Sequence, residues 1–209
     1  MALGRLHVLT DFLFQQTHSH EALAQLAIEG GADTIQFRQK AGTFRHKLYS
    51  ARRTAAVCDA TGTQLIIDDH IDIMQAVGAA GVHLGRTDFP VDEARLILGK
   101  DKLIGATANS LKEVEAGAAA GADYIGYGPV FYSDSKANLA SVQGLDGLKK
   151  ACSMVEIPVI AIAGITADRV TEVLDAGAYG VAIMSAISTA DSPREATRQF
   201  RDAIDAFVG

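Results

Sequence analysis

Eight short apolar runs, each followed by a longer segment of helical periodicity, recur from one end of the chain to the other. The runs are RLHVLT (5–10), TIQFR (34–38), QLIID (64–68), GVHL (81–84), LIGAT (103–107), YIGYG (124–128), VIAIA (159–163) and GVAIM (180–184). The segments between them read as helices, for example HEALAQLAIEGG (20–31), FRHKLYSARRTAAVCDATG (44–62) and ADRVTEVLDAGA (167–178). Several close on a glycine–alanine pair before the next run: Gly31–Ala32, Gly121–Ala122 and Gly177–Ala178. Glycine there allows the left-handed residue that stops a helix, and VGAAG (77–81) follows the same plan. Eight strand–helix units in 209 residues predict an α/β fold of the (β/α)8 type, a TIM barrel, as a single domain over residues 1–209. The competing arrangement is a doubly wound open sheet. It usually carries a glycine-rich fingerprint after its first strand, where this chain reads LTDF.

Composition removes several function classes. With 48% hydrophobic and 21% charged residues the chain suits a globular domain. No apolar run approaches the ~20 residues of a membrane span, and MALGRLHVLTDF lacks the apolar core of a signal peptide. The expectation is a cytoplasmic protein without a membrane partner. A formal charge of −6 and the absence of a basic stripe argue against nucleic acid. An anionic ligand would need a local basic pocket set against that field. Cys58 and Cys152 fall in helical segments, with neither metal-site nor disulfide spacing, and read as plain thiols. Apolar helix faces that are buried cannot be told from exposed ones, so a homo-oligomer stays open.

A barrel of this kind places its site where the strands end. The residues there are Thr10 and Asp11 after strand 1, and Gln36, Arg38 and Lys40 on strand 2. Strand 3 supplies Asp68 and Asp69, strand 4 His83, Arg86 and Asp88, and strand 5 Thr107 and Asn109. The loop GPVFYSDSKANLASVQG (128–144) follows strand 6, AGI (163–165) follows strand 7 and SAI (185–187) follows strand 8. The loops before the strands are short and plain. Polar chemistry on one face favours an enzyme over an inert scaffold.

Gln36, Arg38 and Lys40 share a two-residue spacing, so an extended strand points them the same way. A polyanion such as a diphosphate would satisfy all three; pairing with Asp68, Asp69 or Asp88 would also do so. Asp69 and Asp88 end adjacent strands and, with diphosphate oxygens and waters, form a plausible Mg2+ set. The plainer role for each is a helix cap or turn. Backbone N–H groups in AGI and SAI suit a phosphate, with Gly164 permitting close approach. Ser133, Ser135 and Lys136 bring two hydroxyls and a cation to the long loop, where lids often occur. Two anion sites on one face imply two phosphorylated substrates, or one substrate with two ends.

In this order the motifs VLTD, IQFRQK, DDHIDIMQAVGAAGVHLGRTDFP, GADYIGYGPVFYSDSKANLASVQGL, IPVIAIAGI and AGAYGVAIMSAI span nearly the whole chain. The set resembles the thiamine phosphate synthase family, which includes thiazole tautomerase relatives. The resemblance implies Mg2+-dependent joining of hydroxymethylpyrimidine diphosphate to a thiazole phosphate, with release of diphosphate. It implies that Gln36, Arg38, Lys40, Thr107 and Lys136 hold the diphosphate; Asp68, where the family has another residue, is expected to face the diphosphate as a tuning residue. It implies Asp69 and Asp88 as Mg2+ ligands. Ser133, Ser135, Gly164, Ser185 and Ala186 would hold the thiazole phosphate end. The chain departs from the family's usual pattern at Asp68 (usually Asn), Ala163 (usually Gly), Asp134 in the long loop and Asn109 (often His). Two other readings stand beside the synthase. One is a tautomerase-like isomerase, for which His83 is the nearby proton carrier since Asn109 transfers no proton. The other is a non-catalytic relative that binds phosphorylated ligands.

Overall fold

The computed structural model describes residues 3–15, 17–133 and 141–209. Its strands are β1 (Leu6–Asp11), β2 (Thr34–Arg38), β3 (Gln64–Asp68), β4 (Gly81–Leu84), β5 (Leu103–Ala108), β6 (Tyr124–Tyr127), β7 (Val159–Ile162) and β8 (Gly180–Ile183). All pair in parallel, each with its sequence neighbours, and β8 returns to β1 to close the barrel. The helices are α1 (His20–Glu29), α2 (Phe44–Thr61), α3 (Ile71–Val77), α4 (Val91–Leu98), α5 (Leu111–Ala119), α6 (Gly144–Met154), α7 (Val170–Asp175), α8 (Ser185–Ser188) and α9 (Pro193–Val208). A 3-10 turn, Ala167–Arg169, leads into α7. The barrel expected from the eightfold pattern is the observed fold. Among the described residues no helix is long and apolar enough to cross a membrane.

Strand alternation builds two layers. Val8, Ile35, Phe37, Leu65, Ile67, Val82, Ile104, Ile125, Val159 and Val181 face outward into the core shared with the helices. Leu9, Tyr124, Ile160 and Ala182 pack inside the barrel. Helix ends follow local chemistry. Ser19, Thr43, Ser110 and Ser192 cap α1, α2, α5 and α9 by accepting hydrogen bonds from first-turn N–H groups. The glycines of the Gly–Ala pairs, Gly31, Gly121 and Gly177, take positive φ as their position requires. Both cysteines are helical and free, Cys58 buried and Cys152 half-buried, and burial raises both thiols, Cys58 to about 12 and Cys152 to about 11.

The face before the strands uses its charges for tying down chain. Asp33 accepts from the Arg5 and Leu6 N–H groups, both at 2.9 Å, and pairs with Arg201. Asp123 accepts from the Ile104 N–H at 2.7 Å and pairs with Arg95. These carboxylates stabilise loop ends by satisfying backbone N–H groups. The opposite face holds a cavity of about 1010 Å³.

Candidate active site

The cavity lies at the C-terminal ends of the strands. Gln36, Arg38, Lys40, Asp68, Asp69, Asp88, Thr107, Ser133, Gly164, Ser185 and Ala186 all line it. Ser135 and Lys136, together with Asp134, lie outside the described residues. Every other residue singled out for ligand binding thus converges on one space, fed by seven strands and their loops.

On β2, alternation sends Phe37 outward and Gln36 and Arg38 inward, with Lys40 continuing the inward series past the strand end. None of the three is left unpartnered. Arg38 pairs with Asp11, its register partner on β1, and its Nε lies 3.6 Å from Asp68. Gln36 donates its side-chain amide to Asp68. Lys40 reaches Asp69 at 2.5 Å. The cations are therefore held by carboxylates, and a polyanion would enter by exchange with them. Asp11, 1% exposed, is the buried anchor of this set. It was visible at the end of strand 1, but its partner follows from barrel register. Thr10 turns the other way: its hydroxyl contacts His20 Nδ1 of α1 at 2.6 Å and takes no part in the cavity.

Asp68 and Asp69 are adjacent, yet both line the cavity. Alternation alone would point them to opposite faces. The backbone resolves this, because Asp69 adopts φ 65, a left-handed conformation that aspartate tolerates better than most residues. Neither Asp69 nor Asp88 is a helix cap: α3 starts from His70 and α4 from Pro90. Asp88 is partly a turn residue, accepting from the Gly85 N–H at 2.8 Å.

Asp69 and Asp88 approach closely enough to share a hydrogen bond when one is protonated. Burial, then the facing Asp69 carboxylate, hold the Asp88 carboxyl above its ordinary value. Two partly buried like charges in contact are a pair that a divalent cation relieves. Among the described residues no cluster of three protein ligands forms. The residues fit a hard cation such as Mg2+, which is commonly bound through one or two carboxylates with waters and substrate oxygens completing the shell.

The β7–β8 side is built from backbone. Gly164 has φ 67, and a side chain there would run into Phe131 and the Tyr132 carbonyl. Ala163 holds φ 79, rare for a residue with a Cβ, while its carbonyl accepts from the Phe131 N–H at 3.1 Å. Arg169 overlooks this loop. Its guanidinium lies 4.4 Å from the Phe131 ring centroid and contacts the Gly164 carbonyl at 3.4 Å.

Deeper in the barrel lie residues that the sequence pattern did not distinguish from core. His7 and Tyr124 line the inner end of the cavity beside His83. Burial lowers His7 to about 4 and pushes the Tyr124 hydroxyl far above its ordinary value, so both are neutral. His83 faces the cavity, its Nδ1 3.1 Å from the Tyr124 hydroxyl and its Nε2 2.9 Å from Thr107 Oγ1. Asn109 donates its side-chain amide to the Gly128 carbonyl.

A family model described as thiamine monophosphate synthase matches residues 6–187. A thiamine-phosphate synthase of Salinibacter ruber is 59% identical over 207 residues, covering 99% of this chain and 91% of that protein. One from Chloroflexus aurantiacus is 40% identical over 94% of this chain and 91% of its own. The solved thiamine phosphate pyrophosphorylase of Pyrococcus furiosus superposes with a TM-score of 0.90 at 36% identity, covering 98% of this chain and 97% of that one. With the cavity, its ring of strand-end residues and these likenesses in agreement, the chain belongs to the thiamine monophosphate synthase family.

Proposed function

We propose that the cavity is the active site of a thiamine-phosphate synthase that joins a hydroxymethylpyrimidine diphosphate to a thiazole phosphate and releases diphosphate. The observation that carries this reading is the convergence of Gln36, Arg38 and Lys40 with the facing carboxylates Asp69 and Asp88. Cations for a polyanion and carboxylates for its metal share one wall.

The roles follow from that wall. Arg38 and Lys40 would trade Asp68 and Asp69 contacts for diphosphate oxygens, with Gln36 and Thr107 adding neutral hydrogen bonds and Lys136 a further cation. Asp68 would face the diphosphate and temper its binding. Mg2+ held by Asp69 and Asp88 would supply charge neutralisation on the diphosphate as it departs. On the β7–β8 side, the Gly164, Ser185 and Ala186 backbone with Ser133 and Ser135 would fix the thiazole phosphate. That holds the thiazole nitrogen against the pyrimidine methylene. The carbon–oxygen bond to diphosphate breaks, its electrons leave with diphosphate, and the nitrogen lone pair forms the new bond. No side chain has to remove a proton for this step, which suits a ring built of charge and dipoles.

A tautomerase-like reading would need a proton carrier. The Asn109 amide cannot serve, and both His83 nitrogens are already engaged. We place the work in the cytoplasm, on small phosphorylated substrates.

The test is a product assay by mass, with purified protein, Mg2+ and both substrates. Thiamine phosphate formed well above a blank and lost with EDTA is the expected result. Retained thiazole phosphate binding without product would reject the synthase in favour of a phosphate binder.

A further inference from the structure

The inner end of the cavity contains a chain of three polar groups whose direction can be worked out. Tyr124 on β6 meets His83 Nδ1 on β4, and His83 Nε2 meets Thr107 Oγ1 on β5. Two glycines create the space. A Cβ at Gly105 would collide with the Tyr124 ring and come 2.5 Å from His83 Nδ1, and one at Gly126 would come 2.8 Å from His83 Cε1. Any residue larger than glycine at either position would push into one or both rings.

Tyr124 is 1% exposed, and its only hydrogen-bonding partner among the described residues is His83. A phenol O–H buried without an acceptor costs roughly 1–3 kcal/mol, so the proton must point at His83 Nδ1. That nitrogen is then the acceptor, and the ring carries its proton on Nε2. The opposite tautomer, or a charged ring, would present an N–H to the phenol oxygen and strand the phenol proton. With Nε2–H donating to Thr107 Oγ1, the Thr107 hydroxyl proton is not spent on His83. It is available to the cavity that Thr107 lines.

We infer that Tyr124 is a positioning residue: through His83 it fixes Thr107 as a hydrogen-bond donor aimed at an anionic oxygen of the diphosphate substrate. This rests on the reading of Thr107 as a diphosphate ligand. If Tyr124 were lost, His83 could move its proton to Nδ1 and accept from Thr107, drawing the hydroxyl away from the anion.

Two measurements test it. The first needs no variant: nitrogen-15 NMR of histidine-labelled protein, with His83 assigned through His83→Gln. His83 should be the neutral Nε2–H tautomer, and Tyr124→Phe should give a mixture. An Nδ1–H or charged His83 in the unmodified protein overturns the inference, whatever the variants do. The second is titration with inorganic diphosphate in the presence of Mg2+. Tyr124→Phe should weaken binding about fivefold, Thr107→Val by at least as much, and Thr107→Ser, which retains the hydroxyl, should restore it. Thiazole phosphate affinity should not move in any of them. Unchanged diphosphate affinity in Tyr124→Phe alone overturns the transmitted effect. Unchanged affinity in Thr107→Val overturns it as well, by removing Thr107 from the diphosphate site while the remainder of the proposed function stands.

Discussion

The two sides of the cavity mouth are made differently. On the β1–β4 side Asp11, Arg38, Lys40, Asp68, Asp69 and Asp88 form a field of opposed charges. On the β7–β8 side the lining is backbone at Ala163, Gly164 and Ser185–Ala186, with Arg169 the basic side chain near it among the described residues. The first side binds by exchange, since each cation already has a carboxylate and a ligand must compete for it. The second binds by shape, through N–H groups whose positions are set by two residues at positive φ. A charged wall can tolerate rearrangement during a bond-breaking step, whereas a backbone cradle holds its guest still. The contrast also fixes where mutation should act on charge and where on conformation.

The sharpest break in this contrast is Asp69→Ala. If Asp69 is a metal ligand, the loss should be several kcal/mol of transition-state stabilisation, about a thousandfold or more in turnover at saturating Mg2+. Asp68→Asn, one residue away, should keep or raise turnover, because it removes a negative charge near Arg38 and retains an acceptor for Gln36. Product formation by mass reads both. Normal turnover in Asp69→Ala would remove it from the metal site and end the distinction between neighbouring aspartates.

Acid should strike the β1 side as well. His7 on β1 and His20 on α1 are buried and lowered to about 4, chiefly by burial. In the unfolded chain both titrate near 6.5. Below that value the unfolded state takes up protons that the native state refuses, so stability present above pH 6.5 is lost as pH falls toward 4. The loss amounts to at most about 3 kcal/mol for each ring. Denaturant unfolding between pH 6.5 and 4.5 should show it, and His20→Asn should flatten the dependence. An equally steep slope in that variant would remove His20 as a source and leave the acid sensitivity to His7 and the carboxylates.

What the sequence could reveal divides along the same line. Strand positions came from the apolar runs and fall within a residue or so of the observed ones. Side-chain parity on β2 placed Gln36, Arg38 and Lys40 together, because period-two alternation is a property of the strand itself. Pairing across strands was not legible: Asp11 and Arg38 meet through the β1–β2 register, which the closed barrel sets. Nor was the turn at Asp69, since a single left-handed residue leaves no periodic trace. His7 and Tyr124 sat within apolar runs and looked like core. Their polar ends matter only once the interior layer and the space at Gly105 and Gly126 are known. Arg169 was hidden in a helical pattern that in fact begins as a 3-10 turn.

Arg169 offers a smaller test, directed at the backbone side. A phosphate held by N–H groups in a chain of net charge −6 gains from a nearby cation. Among the described residues Arg169 makes no ion pair, unlike Arg38, Lys40 and Arg86 on the cavity wall. Arg169→Ala should raise the KM for thiazole phosphate about tenfold, near the 1.5 kcal/mol of a weak charge-assisted hydrogen bond. The KM for the diphosphate substrate should stay put. Equal changes in both constants would mean that Arg169 acts on the whole mouth and that the two sides are not independent.

The smallest effect lies at Ala163, where the conformational argument can be separated from charge altogether. At φ 79 a Cβ costs about 1–2 kcal/mol relative to glycine. The conformation persists because the chain on both sides is tied: the Val130 N–H donates to the Ile162 carbonyl at 3.0 Å and the Phe131 N–H to Ala163 itself. Glycine would remove the strain but add freedom to the unfolded chain, offsetting roughly 0.5–1 kcal/mol of the gain. Ala163→Gly should therefore stabilise the fold by up to about 1 kcal/mol, read as a rise in Tm, with a modest fall in the KM for thiazole phosphate as the cradle opens by a methyl. A lower Tm would mean that the Ala163 methyl packs more than it strains. The β7–β8 side would then be held by side-chain contact as much as by backbone, and its difference from the charged side would narrow.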